Sequence, residues 1–173
     1  MENLDQVTLT QSAKGASVSF RLAKGETDLP AILALAKEAH EESRFGYIPF
    51  SADKVRKIAR SAFKDTKRHA VMIASKGKTP VGFVYCSVGE YHIGKGVLIA
   101  TIHNMNVSKD VRASLAGGRI ALGLFKGVES WAKARNAQEV LFHVTSGVNL
   151  ASAHKLAKRI GFQFVGGSYV KGF

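Results

Sequence analysis

The stretch LIATIHNMNVSKDVRASLAGGRIALGLFKGVESWA, residues 98–132, decides how the fold is read. Its opening belongs to the run VLIATIHNMNVS at 97–108, rich in β-branched and apolar residues, which predicts a long strand. Beyond the polar KDVRAS the period changes. Ile120, Leu124, Val128 and Trp131 recur at helical spacing and predict a helix from about 118 to 135. A strand that meets a glycine-bearing turn and then opens a helix leaves N–H groups unpaired at the positive end of the helix dipole. Anions bind at such junctions. Gly117 and Gly118 have no side chain to hold an anion off, and Arg112 and Arg119 add guanidinium donors. The stretch is neither a Walker A loop nor a GxGxxG fingerprint. A plain strand–helix turn with glycines for packing has the same pattern, and both readings stand. Gly123 and Gly127, four residues apart on one helix face, predict a close approach of that helix to a sheet.

Before this stretch, SVSFRL (17–22) alternates as a strand. Pro30 suits the first turn of a helix that follows, and Ser51 caps a second one over 52–63. The aromatic loop FGYIPF (45–50) joins them. HAVMIAS (69–75) and PVGFVYCSVGEY (80–91) read as strands about a KGKT turn. After the central stretch come a strand at 139–144, a helix at 150–160 ended by Gly161, and FQFVGGSYVKGF as a closing hairpin. The order is β-α-α-β-β-β-α-β-α-β-β. It predicts an α/β fold, a mixed sheet with helices on its faces. Residues 1–16 show no sustained period and are expected to form a flexible segment ahead of one domain at 17–173.

The length, 173 residues with 46% apolar content, fits a single domain that needs no staples. Cys86 stands alone, which excludes an intramolecular disulfide and a cysteine-based zinc site; no metal site is expected. No apolar run approaches a membrane span and no apolar signal core opens the chain, so a cytoplasmic protein without a membrane partner is expected. Charge is the unusual property. Twenty-five Lys and Arg against thirteen Asp and Glu leave +12, and only Glu129 and Glu139 of the acids follow Asp110. Such a field draws phosphate-bearing partners, nucleic acid or an anionic cofactor. It is equally what a bias toward solubility produces. Nucleic acid is the less favoured partner, because aromatic–basic interleaving and a helix-turn-helix pattern are lacking.

These residues resemble the GCN5-related N-acetyltransferase (GNAT) superfamily. Its pyrophosphate loop, Arg/Gln-x-x-Gly-x-Gly/Ala, is similar to Arg112-Ala-Ser-Leu-Ala-Gly117, with Leu115 in place of the middle glycine and Gly118 following. The family's fourth-helix segment resembles Ala153–Phe162, with Asn149 one residue further upstream than usual. Ala157 stands where many relatives carry a tyrosine acid. The resemblance spans roughly residues 17 to 172. It implies the GNAT-like, mostly antiparallel twisted sheet and acetyl-CoA as cofactor. In that fold two strands splay apart. The pantetheine arm would pair with Met105, Asn106 and Val107, and the phosphates would meet Arg112, Ala113, Ser114, Leu115, Ala116, Gly117, Gly118 and Arg119, with Asn149 nearby.

The chemistry so implied is transfer of an acetyl group to a primary amine of a small molecule or protein, in a monomer or homodimer. His103 occupies the strand position where relatives place a base, and its imidazole titrates near neutrality. A satisfied strand histidine is the alternative. His143 is the second candidate. Glu42, Tyr47 and Phe50 of the loop between the first helices could hold and line an amine, or simply fill space. A catalytically weak CoA-binding module of the same fold is the other reading, followed by a basic nucleic-acid-binding protein.

Overall fold

The computed structural model describes residues 9–11 and 17–172. Among the described residues, six strands form one sheet in chain order: β1 (Leu9–Gln11), β2 (Val18–Leu22), β3 (His69–Lys76), β4 (Thr79–Glu90), β5 (Leu98–Val107) and β6 (Ala137–Phe142). Neighbours are antiparallel from β1 to β5, and β5–β6 is parallel. The helices are α1 (Leu29–Glu42), α2 (Ala52–Lys64), the single turn α3 (Lys109–Arg112), α4 (Leu115–Lys133) and α5 (Leu150–Arg159).

Local chemistry accounts for these boundaries. Pro30 lies in the first turn of α1. The Ser51 hydroxyl accepts the Lys54 N–H at the start of α2. Gly77, at φ 60°, allows the tight β3–β4 hairpin, and Gly161, at φ 94°, ends α5 in the left-handed conformation expected of it. The α4 core face carries Ile120, Leu124, Phe125, Val128 and Trp131, all buried against Val84, Cys86, Ala100 and Ile102 of the sheet. Burial of each large side chain contributes about 1.5–3 kcal/mol. The opposite sheet face packs Val71 and Ile73 against Leu29, Ile32, Ala59 and Ala62 of α1 and α2. The glycine reading of α4 holds: a Cβ on Gly123 would collide with the Phe20 ring, and one on Gly127 with the Met72 sulfur.

Four details differ from the sequence reading. Leu9–Gln11 pairs with Phe20–Val18 instead of fraying, and the rest of the N-terminal segment lies outside the described residues. α4 starts three residues earlier than 118, because Ser114 caps it, and α3 precedes it. β6 ends at Phe142, two residues short of the expected 144. The closing hairpin does not form: residues 162–172 carry no strand, and Phe164, Val165, Tyr169 and Val170 are exposed. Gly166-Gly167 leaves this segment two very short apolar arms, which is little to hold a hairpin.

Candidate active site

The site is built by a mismatch between β5 and its two neighbours. On the β4 side, Tyr85 pairs with Asn104 but Cys86 pairs with Ile102. His103 is therefore the extra residue of a bulge. On the β6 side, pairing ends at Ile102↔Phe142, while β5 runs on to Val107. Residues 103–107 thus present a free strand edge. The Ser108 N–H donates to the Val81 carbonyl at 2.9 Å. By strand alternation, the backbone groups of Asn106 also face β4, while those of Met105 and Val107 face the opening. The Val107 carbonyl is taken by Arg112 Nε at 2.9 Å. Asn106 can act only through its side chain, whose Nδ2 is buried with no hydrogen-bond partner among the described residues. A buried amide without an acceptor is costly unless something fills its place.

The end of this edge leads to α4. Ser114 Oγ accepts the Gly117 N–H at 3.2 Å. Gly117 is needed for a reason internal to the fold, since a Cβ there would overlap the Val111 and Arg112 carbonyl oxygens. Gly118 faces open space. Ala113 and Leu115 are exposed, and Ala116 is half-buried. Arg112 is already engaged: its Nη2 donates to Glu42 Oε2 at 2.5 Å and lies 4.0 Å from Glu38. Glu38 also accepts the Ser108 hydroxyl and the Lys109 N–H. Two carboxylates of α1 thus clamp the end of β5 to α3. Arg119 is exposed, and its guanidinium makes no hydrogen bond or ion pair among the described residues.

His103 projects onto the sheet face that carries α1 and α2. Its Nε2 lies 2.7 Å from Ser87 Oγ, and its ring stacks on Tyr85 at 5.0 Å. The Tyr85 hydroxyl lies 3.2 Å from His69 Nδ1. The His103 side chain is exposed, but desolvation by the protein around its ring holds its pKa below the ordinary 6.5, and His143 and His69 push the same way. The ring is therefore neutral, and able to accept a proton, at neutral pH. Burial raises the Cys86 thiol to about 12, so it is no nucleophile.

The remaining candidates disperse. Glu42 is held by Arg112 rather than free for an amine. Phe50 packs at 5.7 Å against His40, whose Nε2 is hydrogen-bonded to the Ile48 carbonyl, while Tyr47 is exposed. This loop is tied to the β6–α5 loop by the Arg44 N–H on the Ser146 carbonyl. Asn149, left-handed at φ 44°, caps α5 by accepting the Ser152 N–H. His143 and Ala157 line a cavity of about 1080 Å³, which lies along β6, α5 and the C-terminal segment and contains no residue of β5. Ser87 and Tyr85 were missed as site residues. Their alternation marked only a strand, and nothing local showed which face the bulged His103 would take. Among the described residues no three His, Cys, Asp or Glu converge on a metal position. No helix among them is long and apolar enough to cross a membrane.

A mixed sheet whose central strand bulges, splays from its parallel neighbour and leads into a capped helix is the GCN5-related N-acetyltransferase fold, and this chain has that fold. Among solved structures it is similar to the aminoglycoside N-acetyltransferase AAC(6')-Iy, solved with the bisubstrate analogue CoA-S-monomethyl-acetylneamine. That match has a TM-score of 0.69 at 16% identity, over 90% of this chain and 97% of the other. The ribosomal-protein-alanine N-acetyltransferase of Brucella melitensis biovar Abortus 2308 matches at TM-score 0.66 and 16% identity, over 90% and 99%. AAC(6')-IG of Acinetobacter haemolyticus matches at 0.62 and 17%, over 89% and 95%. No protein-family model and no curated protein matches the sequence.

Proposed function

We propose that this chain is an acetyl-CoA-dependent N-acetyltransferase acting on a primary amine of a small molecule or protein by direct attack. The observation that carries the reading is the overhang of β5: its edge at Met105 and Val107 is unpaired beside a helix start. The fit supports it. An extended amide-bearing arm can add to that edge as a strand does. At the α4 end the fit is looser, because Glu42 and Glu38 offset the Arg112 charge. Phosphates there rely on Arg119 and on N–H groups of the first turn.

Bound there, acetyl-CoA supplies a thioester carbonyl: a C–N bond forms to the amine, the C–S bond breaks, and the amine's proton ends on the released thiol. The residues of this chain do the rest. His103, neutral and held by Ser87, accepts the amine proton directly or through that hydroxyl. The Val107 N–H faces the opening as a donor for a developing oxyanion. The edge and the helix start fix the geometry of approach, from which most of the rate comes. Ala157 leaves the thiol's proton donor to another side chain or to solvent.

A catalytically weak CoA-binding module of this fold is the second reading, favoured by Ala157 and by the neutralised Arg112. Thermal melting with acetyl-CoA tests both: at about a hundred times Kd the chain gains about 2.7 kcal/mol of stability. No shift there sinks both readings. Thiol release with a panel of amines then separates enzyme from binder.

A further inference from the structure

Beside His103, on the same sheet face, lies a hollow of about 380 Å³ lined by Arg68, His69, Ser87, Ile99, Thr101 and Leu141 among others. We propose that this hollow is the acceptor site and that it takes an amine bearing a carboxylate, which pairs with the Arg68 guanidinium. The proposal rests on the acetyltransferase reading and names its substrate class.

Two contacts join hollow and base. Ser87 lines the hollow with its hydroxyl 2.7 Å from His103 Nε2. His69 also lines it, and reaches His103 through the Tyr85 ring. The backbone of Arg68 is fixed: its N–H donates to Asp65, and its carbonyl accepts the Val88 N–H at 2.8 Å. Its guanidinium makes no hydrogen bond or ion pair among the described residues. The acid lining the hollow, Glu90, has Oε1 held by the Gly96 N–H at 2.6 Å. The carboxylates nearest the α1–α2 loop are engaged too, Glu42 by Arg112 and Glu41 by Lys37 at 3.6 Å.

The charge balance follows. One guanidinium without a partner among the described residues faces the hollow, and the one carboxylate there already accepts the Gly96 N–H. An amine whose carrier is an anion finds an unpaired cation to bind. A planar guanidinium forks onto a carboxylate with two parallel hydrogen bonds. Ile99 and Leu141 give the body of the ligand an apolar floor.

Leucine, leucinamide, phosphoethanolamine and neamine are the probes. Each is titrated calorimetrically into the full chain saturated with CoA, and then assayed for thiol release with acetyl-CoA. Leucine binds more tightly than leucinamide and neamine. Arg68→Gln weakens leucine by about tenfold or more, with leucinamide and CoA affinities unchanged. Arg68→Lys, which keeps the charge but not the fork, recovers part of the loss. Equal affinity for leucine and leucinamide, a loss shared by both in Arg68→Gln, or a preference for phosphoethanolamine or neamine overturns the carboxylate assignment. Failure of the acetyltransferase reading looks different: CoA itself does not bind, or no amine releases thiol although leucine binds.

Discussion

His103 owes its place to the bulge, which turns it toward Ser87 and Tyr85 instead of into the ladder. His103→Ala lowers kcat by about 10²–10⁴-fold and leaves CoA affinity unchanged, as steady-state kinetics and titration will read. Because desolvation depresses its pKa, the limb of kcat/KM that His103 contributes lies below pH 6.5, activity falling as acid protonates the ring. The variant loses that limb, and retention of it removes His103 from the chemistry. A second titration concerns stability. Asp28, buried, accepts two hydrogen bonds from Arg21 and one from the Lys24 N–H, and the Arg21 guanidinium holds its carboxyl below the ordinary 3.8. A depressed folded value stabilises the fold above the unfolded pKa, and that gain is lost as pH falls through the folded one. Asp28→Asn therefore costs about 1–3 kcal/mol at neutral pH, a difference that closes in acid when denaturant midpoints are compared. At this scale the sequence was legible where placement depends on strand position: His103 lies on β5, as the strand reading had it. It was not where a role depends on a distant partner: Arg112 and Glu42 are seventy residues apart, and neither neighbourhood shows that they meet.

Helices and strands were more legible than residues, since period and caps are local. The α4 stripe predicted the buried face, and Gly123 and Gly127 predicted its closeness to the sheet. Gly123→Ala costs about 1–3 kcal/mol through overlap with Phe20. Gly118→Ala, in open space on the same helix, gains about 0.5–1 kcal/mol. Melting curves of the two variants should move in opposite directions. What stayed hidden was the start of α4, because the single turn of α3 looks like loop, and the C-terminal segment, whose alternation suggested strands that no neighbour accepts. The proposed phosphate contacts at this scale lie at the helix start. Arg119→Ala weakens acetyl-CoA by about tenfold, whereas Arg112→Ala acts mainly by freeing Glu42 and Glu38 and lowers the melting temperature more than the affinity. The reverse order would return the phosphate role to Arg112.

For the whole molecule, the alternation of strands and helices and the long central strand were enough to read the architecture. The surplus of positive charge was visible but could not name its partner, because net charge says nothing of where free cations face. The structure divides that surplus into cations held by carboxylates, such as Arg21, Arg60 and Arg112, and unpaired ones beside the two openings, Arg119 and Arg68. On the proposed function, the β5 edge beyond Ile102 is open and takes up an extended ligand as an added strand. Amide hydrogen exchange at Met105 and Val107, with and without CoA, reads this edge residue by residue. Both amides exchange fast in the free chain and slow strongly with CoA, while Asn106 stays protected throughout by β4. Met105 and Val107 already protected in the free chain, or indifferent to CoA, would contradict that proposal.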